Sequence, residues 1–135
     1  MFLETIKSEG LAQLSYVIGD EEAGECVVID PRRDIDVYLQ IARDREVAIR
    51  HILETHIHAD FVSGARPLSE ATGAPIHGGR SNEYGYPNAQ LDEGDEIRIG
   101  PLVLRAVPTP GHSPEHLSYV IEGGKGAEAP WGIFT

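Results

Sequence analysis

Thr55-His56-Ile57-His58-Ala59-Asp60 follows directly on the apolar run at 49–53. That run is rich in β-branched and apolar residues, which predicts a buried strand over 47–53. The histidines therefore stand at the C-terminal exit of a strand. In an extended segment, side chains at i and i+2 project to the same side, so His56 and His58 can converge on one point. Asp60 can join them as a ligand, or hydrogen-bond a ligating imidazole. Imidazole nitrogen with carboxylate oxygen suits Zn²⁺ or Fe²⁺ better than Ca²⁺ or Mg²⁺.

A second histidine motif lies downstream, Thr109-Pro110-Gly111-His112-Ser113-Pro114-Glu115-His116. A lone His-x-His is weak evidence of a metal site. His-x-His-x-Asp behind a buried strand, with Gly-His-Ser-Pro further on, is strong evidence, and surface histidines placed by chance explain it poorly.

Outward from these motifs, the first thirty residues read as a β-meander. Its strands are expected at 2–7, 11–18 and 26–29, with Leu14, Tyr16 and Ile18 on one face and a polar turn at 19–24. Asp30-Pro31 ends the third strand. A helix is expected over 35–45 with Asp34 as its N-cap, and another over 63–72, ended by Gly73 and Pro75. A short strand at 75–77 and a long irregular loop at 78–88 come next. A hairpin follows at 96–99 and 102–107 around Gly100-Pro101. A loop at 108–114, a strand at 117–121, a turn at 123–126 and a strand at 131–134 complete the chain. Alternating strands and helices predict one α/β domain, residues 1–135, with a mixed sheet. Ending within an apolar strand pattern suggests a piece of a longer chain.

The 135 residues suffice for one modest core. Acidic residues outnumber basic ones 22 to 11, a formal charge of −11. That argues against nucleic acid and anionic membrane as partners, which need a basic footprint. No apolar run approaches the ~20 residues of a membrane span, and the first residues lack the pattern of a signal peptide. The expected location is cytoplasmic. The single cysteine, Cys26, excludes an internal disulfide and a cysteine-rich zinc site, and its apolar strand context predicts a buried, inert thiol.

Val27-Val28-Ile29-Asp30-Pro31, Glu54 through Gly64 and Pro110 through His116 together resemble the metallo-β-lactamase superfamily, whose hallmark is His-x-His-x-Asp-His. Within it, the chain is most similar to the persulfide dioxygenase-like branch, which is related to glyoxalase II and often fused to rhodanese domains. The resemblance implies a four-layer αββα sandwich, of which this chain holds the N-terminal portion. It implies a mononuclear Fe²⁺ enzyme that oxidises a low-molecular-weight thiol persulfide to sulfite with O₂. His56 and His112 are then two arms of a two-histidine, one-carboxylate site whose third arm lies beyond residue 135. His58 and Asp60 stand behind them, or act as ligands if Zn²⁺ binds instead.

The hallmark's final histidine is Phe61 here, which cannot ligate and favours a mononuclear site. The rival readings are a zinc thioester hydrolase of the glyoxalase II type and an inactive half-domain. The half-domain would expose an apolar face and self-associate.

Three further residues are candidates for lining the site or supporting its ligands. They are His116, His77 at a strand end, and Tyr84 in the long loop. His51, within the strand before the first motif, is expected to be structural.

Overall fold

The apolar run before the histidines forms β4 (Ala48–Leu53), an interior strand of a six-stranded sheet. The structure is a computed structural model and describes residues 1–123 and 129–135. β1 (Phe2–Lys7), β2 (Leu14–Asp20) and β3 (Glu25–Ile29) form the expected antiparallel meander. β3, β4, β5 (Ile76–Gly79) and β6 (Ala89–Leu91) then run parallel, in the order β1-β2-β3-β4-β5-β6. The helices α1 (Asp36–Asp44) and α2 (Ala65–Thr72) connect β3 to β4 and β4 to β5. A second sheet is wholly antiparallel. It contains β7 (Glu96–Ile99), β8 (Leu102–Pro108), β9 (Leu117–Gly123) and β10 (Gly132–Phe134), in the order β10-β9-β8-β7.

Two apolar clusters separate three layers. Cys26, Val28, Ile49 and Ile52 pack with Tyr38, Ala65 and Leu68 of the helices. Val27, Ile29 and Leu53 pack with Leu104, Tyr119 and Ile121 of the second sheet. A strand buried on both faces shows no polar alternation, and β3 reads as an unbroken apolar run for that reason. The β3–β4 register slips between Cys26 and Val27, which stand opposite Ile49 and His51. Exposed Arg50 is the extra residue. This bulge reverses the side-chain parity of β4. Ile49 and Ile52 therefore both meet the helices, and Leu53 meets the second sheet.

The expected mixed sheet is present, and a second sheet accompanies it as the implied sandwich requires, because the hairpin at 96–108 pairs with β9 and not with the meander. Several local expectations need correction. β2 begins at Leu14. Residues 11–13 form a loop, closed by the Ser8 amide on the Gln13 carbonyl at 3.1 Å. Asp34 does not cap α1. Ile35 holds the N-cap position, and the Asp34 carboxylate pairs with Arg32 at 3.1 Å. β6 lies just past the loop expected at 78–88, in residues for which no element was expected. It is a partly exposed edge strand, and its partner is supplied by the fold rather than by its own pattern. Gly73 ends α2 in the left-handed conformation, as expected. The predicted turn at 123–126 lies, beyond Gly123, outside the described residues.

Cys26 is fully buried, and burial pushes its thiol up to about 12, so it is inert. No helix among the described residues is long and apolar enough to cross a membrane.

Candidate metal centre

β3 and β4 end side by side, and the chain beyond each builds the floor of a cleft. Asp30 follows β3 at φ 48, a left-handed conformation that aspartate tolerates better than most residues. Its amide donates to the Leu53 carbonyl at 2.8 Å. The second sheet is tied to the same point, with the Leu117 amide donating to the Thr55 carbonyl at 2.8 Å. Binding sites in α/β sheets form where parallel strands end in this way.

The Asp30 carboxylate organises the first histidine motif. Oδ1 accepts the Thr55 amide at 2.7 Å, and Oδ2 accepts the Thr55 hydroxyl at 2.7 Å. The same hydroxyl oxygen lies 2.9 Å from Nδ1 of His56. A hydroxyl has one proton, and here it goes to Asp30. Thr55 must therefore accept from Nδ1–H, which leaves the Nε2 lone pair of His56 free. Burial first, then the neighbouring His58, lowers the His56 pKa to about 4, so the ring is neutral and able to ligate.

His58 is oriented differently. Its Nε2 lies 3.2 Å from Asp30 Oδ1 and 3.8 Å from Glu54 Oε2. It is buried without an aligned hydrogen bond, as is Glu54 Oε2. Burial works to lower the His58 pKa, but the contacts with Asp30, Glu54 and Asp60 outweigh it, and the net shift is upward. With Nε2 turned to carboxylates, Nδ1 is the nitrogen left for a metal.

Glu54 is 1% exposed. It accepts from Ser63 and, at 3.0 Å, from the Tyr86 hydroxyl. Burial, then the charge of Asp30, pushes its pKa up to about 8. Ligand atoms of Asp30, Glu54 and His58 lie within 4.8 Å of one another. Both Asp30 oxygens and one Glu54 oxygen already accept hydrogen bonds, so this trio reads better as support beneath the imidazoles than as a separate metal site.

The second motif closes over the first. Glu115 Oε1 accepts the Ile57 amide at 2.8 Å and the Ser113 hydroxyl at 3.0 Å, which latches the two histidine loops together. The His56 ring centroid lies 4.0 Å from that of His58, 4.8 Å from His112 and 5.0 Å from His116. Nδ1 of buried His116 is held by the Thr109 hydroxyl at 2.8 Å. A cleft of about 500 Å³ opens beside His56, His58, Asp60 and His112. Asp60 is exposed on its wall. Phe61 lies on the same wall, with its ring centroid 4.3 Å from that of His58. Closely grouped imidazoles, with Nδ1 of His56 held by Thr55 and its Nε2 available, and with Nε2 of His58 turned to carboxylates and its Nδ1 left over, fit a transition metal.

His77 and Tyr84 are placed elsewhere. His77 is buried beside His51, with Nε2 3.0 Å from the partner's Nδ1, and is not among the residues lining the cleft. Tyr84 sits against Gly78, where a Cβ would fall 2.5 Å from the tyrosine hydroxyl, and it too is absent from the cleft lining. The motif reading gave no site role to Asp30, Glu54, Thr55 or Glu115. Their signal was positional, since Asp30 and Glu54 are carboxylates that end buried strands and Glu115 lies between two histidines.

Comparison with known proteins bears on this arrangement. The sequence model of the Metallo-beta-lactamase superfamily matches residues 9–127. A probable metallo-hydrolase of Burkholderia pseudomallei is 30% identical, covering 90% of this chain and 52% of its own length. A hydroxyacylglutathione hydrolase of Rhodopseudomonas palustris is 30% identical, covering 89% of this chain and 48% of its own. The chain thus spans about half the length of these relatives.

Among solved structures, a metallo-beta-lactamase from Staphylococcus aureus superposes with a TM-score of 0.91 at 36% identity. That match covers 98% of this chain and 42% of the other. ETHE1 from Myxococcus xanthus superposes at 0.82 with 33% identity, covering 90% and 54%.

Proposed function

This chain belongs to the metallo-β-lactamase superfamily, and from that premise we propose that it carries the metal-binding half of a mononuclear persulfide dioxygenase. The observation that carries this reading is Phe61. It packs on the His58 ring at the position where the superfamily hallmark has a histidine. An apolar ring there removes a donor that a second metal would need, while His56, His58 and His112 remain for one metal. His56 and His112 would hold it, with Asp60 and His58 as further candidate ligands.

A bound Fe²⁺ would supply the electron transfer between thiol persulfide and O₂, and the overall conversion consumes one persulfide, one O₂ and one water and yields the thiol, sulfite and two protons. The protein's own contribution is positional. Asp30 fixes the tautomer of His56 through Thr55, and Glu115 holds the two loops in register. His116 packs on His56 and is fixed by Thr109. Phe61 gives the cleft an apolar wall against which a sulfur chain can rest.

The test is oxygen consumption by the iron-loaded protein with glutathione persulfide and with other small thiol persulfides. Uptake with sulfite formation is expected, and its absence across all of them sinks the reading.

A zinc thioester hydrolase is the second reading. It is favoured by the hydroxyacylglutathione hydrolase relatives and by an imidazole-rich set, with Asp60 beside it, that suits Zn²⁺. Thioester turnover by zinc-loaded protein, without oxygen uptake by the iron form, would select it.

A further inference from the structure

The loop at 80–88, between β5 and β6, lines no part of the histidine cleft, yet it reaches a carboxylate beneath it. The base of the loop is closed by the Gln90 side-chain amide on the Ser81 carbonyl at 2.6 Å. Two tyrosines leave the loop with ring centroids 5.9 Å apart. Tyr84 sits against Gly78, and its hydroxyl is buried without a hydrogen-bond partner. Tyr86 packs on the apolar cluster between the first sheet and the helices, and its hydroxyl donates to Glu54 Oε1 at 3.0 Å. The two side chains share a loop and a chemistry, but of the pair only Tyr86 bonds to Glu54.

Ser63 brings a second donor to the same oxygen. Its hydroxyl accepts the Ala65 amide at 3.0 Å, at the start of α2, and gives its single proton to Glu54. The terminal torsion of a glutamate is otherwise soft. Donors from two separate elements remove that freedom and leave Oε2 3.8 Å from Nε2 of His58. Oε2 and Nε2 are both buried, and neither has another hydrogen bond. Asp30 Oδ1 approaches the same nitrogen at 3.2 Å. Nε2 therefore faces two acceptor oxygens. The one proton of a neutral imidazole belongs there, and the lone pair is then on Nδ1.

We propose that Tyr86 is a positioning residue of the metal centre. Through Glu54 it keeps the His58 proton on Nε2 and leaves Nδ1 free for the metal. A change in the loop at 80–88 is then felt at the histidines, although the loop stays outside the cleft. The proposal rests on the metal-binding reading of the histidine group, and not on which reaction follows.

The test compares Tyr86→Phe with Tyr84→Phe, each of which removes one hydroxyl and keeps the ring. Histidine side-chain ¹⁵N NMR on metal-free protein, at mildly alkaline pH where the imidazoles are neutral, reads the tautomers. Zinc competition with a chelator reads affinity. In the unaltered protein and in Tyr84→Phe, His58 should carry its proton on Nε2. In Tyr86→Phe the His58 signals should move towards a mixture of tautomers, with those of His56 unchanged. Zinc affinity should fall roughly threefold to tenfold, at or below the low end for a group that touches a ligand directly. Ser63→Ala should act in the same direction. In a Glu54→Leu background, adding Tyr86→Phe should cause no further loss. An unchanged His58 tautomer in Tyr86→Phe, an equal effect of Tyr84→Phe, or a further loss in the Glu54→Leu background overturns the proposal. Failure of the unaltered protein to bind zinc would count against the metal reading instead, and the metal-free tautomers would still decide the role of Tyr86.

Discussion

His51 and His77 lie between β4 and β5, while His56, His58, His112 and His116 gather a few residues further on, where β4 ends. Each group contains a buried ring, His77 in the first and His116 in the second, while His112 is exposed, and burial is the leading cause that lowers the pKa of His77 and of His56 to about 4. They differ in their neighbours. The first pair bonds to itself at 3.0 Å, and Nδ1 of His77 is left without a partner. The second group rests on Asp30, Thr55 and Glu115, which hold its rings and loops and leave nitrogens facing a cleft. Buried imidazoles alone do not make a metal site. A hydroxyl or carboxylate that claims one nitrogen and frees the other makes an imidazole available to ligate.

The largest test of this contrast is His56→Ala. Metal content should fall from about one per chain towards none, as measured by plasma mass spectrometry after anaerobic loading. Asp30→Asn should come next. Asparagine accepts the φ 48 backbone, but its amide group donates where the carboxylate accepted. The Thr55 hydroxyl is then turned towards His56, and metal affinity in chelator competition should drop by roughly 10- to 100-fold. Thr55→Val removes only the link to His56, and a loss near the low end, about tenfold, is expected.

Substitution in the other group should leave metal affinity alone. His77→Leu should instead change how stability depends on pH. The His77 pKa is depressed in the folded chain, from an ordinary 6.5 to about 4. Below 6.5 the unfolded chain therefore takes up the proton first, and stability is lost as pH falls towards 4. Denaturant melts across that range should show a shallower loss for His77→Leu. An equally steep loss would mean that His77 is not the titrating group.

The strands of the meander, both helices, the hairpin and the two histidine motifs were legible in the sequence, because each rests on local pattern. Cys26 to Ile29 is apolar on both faces, and Gly73 ends a helix where glycine is favoured. The division into two sheets was not legible from pattern alone, since no residue of 96–108 records which strand it will pair with. β6 was missed for the same reason. At the site, His56, His58 and His112 announced themselves, whereas Asp30 did not. Its importance comes from β3 and β4 ending together, and twenty-five residues separate it from Thr55 in sequence. His77 looked eligible by type and strand position, but the neighbouring strand supplied His51 instead of a cleft.

The central claim is that Asp30 and Thr55 set His56 to ligate through Nε2, and that the metal is taken by this histidine group and not by the other. Histidine side-chain NMR on ¹⁵N-labelled protein, before and during zinc titration, tests it most directly. The account predicts that metal-free His56 carries its proton on Nδ1. It further predicts that the rings of His56, His58 and His112 shift together and saturate at about one equivalent, with His51 and His77 unmoved. A proton on Nε2 of His56, or a metal response at His51 and His77, would contradict it.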